Sequence, residues 1–435
     1  MKKSVFGLLL ALSLFSQGGA AQSSGSGAAL HANVLHGPYL QQVTPTSIVI
    51  RWRTDAPASS RVHVFTEKKK RQTTVENDRL VTEHEVKIDG LKPATRYFYS
   101  FGDASALTEA DDQFFVTAPK TGATDEVRLW VLGDFGNSSQ TQAEVRDAVL
   151  KQARRPDVWL WLGDNAYSNG KDEEFEKHVF DVYGKTHFKN LPFYPIPGNH
   201  DYGGQRTNFD IPYFNLFTMP RAGEAGGVPS GSESYYAFDY GNVHVVALDS
   251  YGKLDGTHML WDTAGRQVEW LKKDLAANKQ PWTVVMLHHP PYTKGSHDSD
   301  REKDLVAIRE NLVPILERYR VDLVLSGHSH VYERTHPIRG HYGRVNTFEP
   351  KHIVSAAAGN TTEYRVGNGQ QGIIYIVAGS GGQRGGQAAG WPMPAAVYSN
   401  NTEGGSLLID VKKNRLHVRW LCQDGNVRDD FSLVK

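Results

Sequence analysis

The chain has 435 residues, too many for one ordinary hydrophobic core and enough for two domains. Hydrophobic residues make up 39% and charged residues 22%, the balance of a water-soluble globular protein. Lys+Arg and Asp+Glu number 48 each. That neutrality argues against nucleic acid or an anionic membrane surface as the main partner, because both demand a cationic face.

The first residues read as a secretory signal over 1–20. Lys2 and Lys3 start it, and the apolar run from Val5 to Phe15 is too short to span a bilayer as a helix. Gly18-Gly19-Ala20 offers small residues for cleavage after Ala20 or Ala21. The expected location is secreted or periplasmic, with no membrane span; an uncleaved anchor is the alternative. Residues 21–34 form a linker rich in Ser, Gly and Ala. Cys422 is the only cysteine, so no intrachain disulfide forms, and its place in an apparent strand makes it a packing residue.

From 35 to 119 short β-type segments alternate with turn signals, among them Ser47–Trp52, Ser60–Phe65, Glu83–Ile88 before Asp89-Gly90, and Thr95–Phe101. This spacing predicts an all-β sandwich. Trp52 and the segment Gly90 to Tyr97 resemble the core tryptophan and tyrosine corner of a fibronectin type III domain. Lys68 to Arg71 is a basic run, read as a solvated hairpin tip rather than a docking patch.

From 120 to 435 strands alternate with helical patterns, which predicts an α/β domain. Strands are expected at 127–132, 158–162, 194–196, 243–248, 282–287, 321–325 and 373–377, helices at 142–154, 265–277 and 305–319, and a closing hairpin at 407–421. Five of these strands run into a residue able to bind a metal: Asp134, Asp164, Asn199, His288, and the pair His328 and His330. Ligands of α/β sheets bind beyond the carboxyl ends of strands, so these residues are expected to converge. Carboxylates, imidazoles and an amide oxygen suit intermediate divalent metals. Gly327-His328-Ser329-His330, read as extended, would point both imidazoles to one side. Tyr167 lies three residues after Asp164, and phenolate is a hard anionic ligand that favours ferric iron.

Asp134-Phe135-Gly136, Gly163-Asp164-Asn165-Ala166-Tyr167, Gly198-Asn199-His200-Asp201, Val285-Met286-Leu287-His288 and Gly327-His328-Ser329-His330 stand in this order. In these five blocks the chain resembles the purple acid phosphatases, within the calcineurin-like metallophosphoesterases. The resemblance implies two mixed sheets flanked by helices behind the N-terminal sandwich. It implies an Fe(3+) site of Asp134, Asp164, Tyr167 and His330, and a divalent site (Zn2+, Fe2+ or Mn2+) of Asp164, Asn199, His288 and His328, with Asp164 shared. His288 rather than His289 fits the block. His200 and His297 are the implied catalytic residues outside the ligand set, and with Asn199 they are the positions expected to contact substrate. The implied activity is an acid phosphatase that hydrolyses small phosphomonoesters by in-line attack of a metal-bound hydroxide. A phosphodiesterase or nucleotidase on the same metals is the alternative, and a binding protein or phosphate scavenger would be recognised by lack of turnover.

Overall fold

The computed structural model describes residues 32–67, 70–254, 256–355, 362–367 and 371–435. The expected signal, residues 21–31 of the linker, and Lys68 and Lys69 of the basic run lie outside the described residues.

Strands β1 (Val34–Gln41), β2 (Ile48–Glu67), β3 (Lys70–Ile88), β4 (Arg96–Gly102), β5 (Leu107–Thr108) and β6 (Phe114–Val116) form one six-stranded sheet. The long β2–β3 ribbon shifts register between Arg53 and Ser60 and so serves two layers. Ile50 pairs with Leu40 and Val86 in one, while Val62 to Phe65 pair with Phe101 to Phe98 of β4 in the other. Trp52 fills the space between them, edge-on to Phe101 at 5.2 Å and stacked on His84 at 4.5 Å. Tyr97 makes the expected corner: its hydroxyl accepts from the Lys92 amide at 2.9 Å, five residues upstream.

Beyond it lie two seven-stranded sheets. Their strands are β7 (Val127–Leu132), β8 (Val158–Trp161), β9 (Phe193–Pro195), β10 (Tyr236–Tyr240), β11 (Val243–Leu248), β12 (Trp282–Leu287), β13 (Leu323–Ser326), β14 (Tyr332–Thr335), β15 (Glu363–Arg365), β16 (Ile374–Ala378), β17 (Ala396–Asn400), β18 (Gly405–Lys412), β19 (Arg415–Cys422) and β20 (Val427–Val434). One sheet runs β15-β20-β19-β18-β7-β8-β9, the other β10-β11-β12-β13-β16-β14-β17. The helices are α1 (Gln140–Leu150), α2 (Asp172–Phe175), α3 (Asp181–Tyr183), α4 (Pro212–Leu216), α5 (Arg266–Ala277), α6 (Lys303–Ala307) and α7 (Val313–Arg318).

The central strands β7, β8, β11, β12 and β13 are buried at every residue, as expected for parallel strands covered on both faces. Their side chains alternate between two cores. Val284 and Met286 join the large cluster shared with the first sheet, while Val285 and Leu287 join a second cluster with Leu271 of α5 and Leu316 of α7. The large cluster continues into Trp52 and Tyr97 of the N-terminal layers, and Ala32–Lys435 form one compact unit. Tyr39 Oη donates to the Leu216 carbonyl at 2.7 Å and Tyr194 Oη to that of Val43 at 2.8 Å across the junction.

Two expectations need correction. The chain does not close as a hairpin at 421, because Cys422 turns into a third strand, β20, that pairs along β19. The helix expected at 305–319 begins at Lys303 and carries a π-helical segment at Ile308–Leu312 between α6 and α7. Cys422 is buried in β19, as expected of a packing residue.

Candidate metal centre

The loops leaving β7, β8, β9, β12 and β13 bring the strand-end residues to one place. Sharp turns make this convergence. Asp134, Asp164 and His328 all have left-handed backbones, with φ of +57°, +50° and +66°. Such conformations are costly for non-glycine residues and concentrate at functional sites. The turns also need room, and a Cβ on Gly198 would stand 2.2 Å from Asp164 Oδ1.

Four of the expected residues meet around one phenol. Tyr167 Oη lies 3.1 Å from Asp134 Oδ1, 3.3 Å from Asp164 Oδ2 and 3.2 Å from His330 Nε2. The other set meets around His288. Its Nε2 lies 3.2 Å from Asp164 Oδ2 and 3.1 Å from Asn199 Oδ1. His288 Nδ1 donates to the Leu162 carbonyl at 2.8 Å, which turns Nε2 to the site. His328 brings a ring nitrogen into the same group, all ligand atoms of Asp164, His288 and His328 lying within 4.8 Å of one another. The pair at 327–330 is bent rather than extended. His328, in its left-handed turn, faces the His288 side, and His330 faces Asp134 at 3.4 Å. His289 lies elsewhere: its Nδ1 is bonded to Ser250 Oγ at 2.8 Å, and its ring packs 4.3 Å from that of His328.

The donor set fits cations. Asp134 and Asp164 are 0% and 1% exposed. Among the described residues their partners are histidines, a tyrosine and backbone amides, with no lysine or arginine. Two buried carboxylates so placed call for positive charge. Burial opposes the charge on Asp164, yet His288, His200 and His328 hold it well below the usual carboxylate range. Burial likewise disfavours an imidazolium at 288, but Asp164 pushes it up to about 9. Burial, with Asp134 and Asp164 adding to it, holds the Tyr167 phenol well above its ordinary value.

Both expected outer histidines border this site. His200 N donates to Asp164 Oδ1 at 2.8 Å, its Nδ1 donates to the Ser168 carbonyl at 2.6 Å, and its Nε2 stands 3.9 Å from Asp164 Oδ2. The His297 ring stacks on His328 with centroids 3.7 Å apart. Two acidic residues that the sequence reading gave no role border the site. Glu302 lies 3.0 Å from His297 Nδ1 and 3.6 Å from His328 Nε2. Asp201 accepts from Gly198 N at 2.7 Å and Asn165 N at 3.1 Å, tying the turn before Asn199 to the loop after β8. Asp249, directly after β11, accepts from Tyr202 Oη and from the amides of Tyr251 and Gly252.

Comparison with known proteins follows the same division. Residues 37–117 match the family model of the purple acid phosphatase N-terminal domain, and 127–332 that of the calcineurin-like phosphoesterases. Purple acid phosphatase 21 of Arabidopsis thaliana is 30% identical over 350 residues, covering 78% of this chain and 67% of that protein. The chain belongs to the purple acid phosphatase family. Purple acid phosphatase 23 of the same plant is 30% identical over 305 residues, 64% of this chain, and the chain spans 62% of its length. The solved purple acid phosphatase PPD1 from yellow lupin seeds shares the fold, with a TM-score of 0.72 at 18% identity over 91% of this chain and 74% of that one. Membership of the purple acid phosphatases implies a binuclear metal centre, and Asp164, His288 and His328 form a group able to hold a cation. No helix among the described residues is long and apolar enough to cross a membrane.

Proposed function

We propose that the chain is an exported acid phosphatase that hydrolyses small phosphomonoesters at a binuclear centre. Asp134, Tyr167 and His330 would hold ferric iron, and Asn199, His288 and His328 a divalent ion (Zn2+, Fe2+ or Mn2+), with Asp164 common to both. One observation carries this reading: a single oxygen, Asp164 Oδ2, stands 3.3 Å from Tyr167 Oη and 3.2 Å from His288 Nε2, so it belongs to both sets of donors. When bound, two cations supply Lewis acidity toward a phosphoryl oxygen and lower the pKa of a water from 15.7 towards about 7.

The chain supplies the rest. The Ser168 carbonyl can only accept, so His200 donates to it from Nδ1 and turns Nε2 to the site, where it donates to a phosphoryl oxygen when both ring nitrogens carry protons. Glu302 likewise fixes the proton of His297 on Nδ1, leaving Nε2 free to give a proton to the leaving alkoxide when the ring is charged. That requirement supports a rate maximum in weak acid. The basic start and short apolar run of the first 20 residues support export.

The test is a visible absorption spectrum of the purified protein, taken with p-nitrophenyl phosphate turnover across pH on the same sample. A violet band that vanishes in Tyr167→Phe, with activity peaking in acid, is the expected result. A colourless active enzyme would remove the ferric–tyrosinate pair and leave a two-metal hydrolase. Faster turnover of bis(p-nitrophenyl) phosphate would move the substrate to diesters, and no turnover after metal reconstitution would overturn the phosphatase reading.

A further inference from the structure

The N-terminal layers reach the loop that carries Tyr167. Arg53, on β2, projects its guanidinium across the junction onto α2. NH1 and NH2 grip Asp172 side by side at 2.6 and 2.8 Å, and NH1 also reaches Glu176 at 3.0 Å. Its Nε donates to Glu83. The Arg53 side chain is 15% exposed and that of Asp172 46%, so the bidentate pair joins a shielded guanidinium to a half-exposed carboxylate. Three carboxylates therefore gather around one guanidinium, with Arg51 3.8 Å from Glu83 and His36 on Glu176 as their further partners.

The same turn of helix acts on the candidate site. Glu174 accepts from the backbone amides of Ser168, Asn169 and Lys171 at 2.7, 2.9 and 3.0 Å. It thereby holds the loop that begins at Tyr167. That loop positions two groups already described. Tyr167 Oη meets Asp134, Asp164 and His330, and the Ser168 carbonyl takes the Nδ1 proton of His200. The Tyr167 and His200 rings also touch, with centroids 4.6 Å apart.

We propose that Arg53 is a positioning residue for the site: by clamping the first turn of α2 it fixes Glu174, and through Glu174 the loop that places Tyr167 and orients His200. The N-terminal layers are then a working part of the centre rather than a passenger. This inference rests on the phosphatase reading for its kinetic readout but not for its structural one. Losing Arg53 leaves Asp172 and Glu176 without their guanidinium, and the repulsion falls on the start of α2.

The experiment compares the wild-type protein with Arg53→Met, Asp172→Asn and, as control, Arg61→Met, which removes an ion pair with Glu76 on the hairpin. Backbone hydrogen exchange of 168–171 and of α1 is followed, with p-nitrophenyl phosphate kinetics on the same preparations. In Arg53→Met, exchange at 168–171 is expected to quicken about tenfold while α1 stays protected. The value of kcat is expected to fall about five- to tenfold with KM moving less than about twofold. Asp172→Asn should shift both readouts in the same direction by less, and Arg61→Met neither. Should Arg53→Met fail to fold, Asp172→Asn decides. Unchanged exchange at 168–171, or a uniform rise that includes α1, overturns the clamp. A wild-type protein inactive on the ester whose loop still loosens in Arg53→Met would sink the phosphatase reading and keep the clamp.

Discussion

The imidazoles of His297 and His328 lie face to face, 3.7 Å between centroids and 29° between planes, and both reach the carboxylate of Glu302. Two stacked imidazoles tolerate at most one charge, and Glu302 supplies the counter-charge for it. Burial would raise that carboxyl, but hydrogen bonds from His297 and His328 hold it well below the usual range, so it stays anionic throughout the acid region. Replacing it by glutamine removes the charge and keeps the shape. In Glu302→Gln, kcat should fall about tenfold or more. An unaltered kcat would show that Glu302 only fills space.

Gly198 tests the closeness of the turns. An added methyl would stand 2.2 Å from Asp164 Oδ1 and 2.3 Å from Asp164 N, and backbone cannot give way there cheaply. Gly198→Ala is expected to cost cation binding outright while stability falls by about 1–3 kcal/mol. Metal content after dialysis, set beside the thermal midpoint, checks both halves.

Cation uptake should release protons. Without a cation His288 is pushed up to about 9, against the pull of burial, and burial keeps Tyr167 protonated well above its ordinary value. Ligation by the imidazole lone pair and the phenolate displaces both protons near pH 7, about two per centre. Apparent affinity should then weaken as pH falls. Calorimetric titration of the metal-free protein in buffers of different ionisation enthalpy measures the number, and a value near zero would contradict the donor assignment.

His244 offers a pH signature remote from the centre. Its Nδ1 meets Asp239 Oδ1 and its Nε2 meets Asp274 Oδ2, both at 2.8 Å. Asp274 also takes the Val228 amide and Asp239 takes Gln280 Nε2. Burial lowers the imidazole, yet the two carboxylates carry it up to about 9. A raised folded value means stability that is full below about 6.5, the unfolded value, and lost as pH climbs through 9. Chemical denaturation at pH 6 and pH 9.5 should differ by up to roughly 3 kcal/mol from this group. His244→Phe should flatten that difference and cost about 3–5 kcal/mol at pH 6 by leaving Asp239 and Asp274 without the cation between them.

How much of this was legible depended on how local its cause was. Strand ends declare themselves: a buried run stops at Gly133 or Gly163 and the next residue is acidic, so Asp134 and Asp164 could be found by reading forward. Tyr97 was equally readable, because its partner is five residues away. Glu302 was not, since it lies 14 residues after His288 in a stretch of ordinary charged residues, and only the loop from 293 to 300 brings it beneath His297. Arg53 carries no mark either. It is one of several arginines in a strand, and its partner Asp172 lies 119 positions away. The bend at His328 escaped because nothing in Gly-His-Ser-His distinguishes a left-handed turn from an extended run.

The position of β7 sets an order of events. This strand ends one residue before the Gly133-Asp134 turn and sits between β8, some 30 residues on, and β18, which begins at Gly405. While the ribosome is still making the domain, β7 therefore has one bare edge and cannot be enclosed until residues 405–434 have emerged. Pairings of such long sequence separation form late, because the loop must close before any contact rewards it. Enclosure of the strand that leads into Asp134 therefore waits on β18, and the polypeptide stays open on that side until those residues have been made.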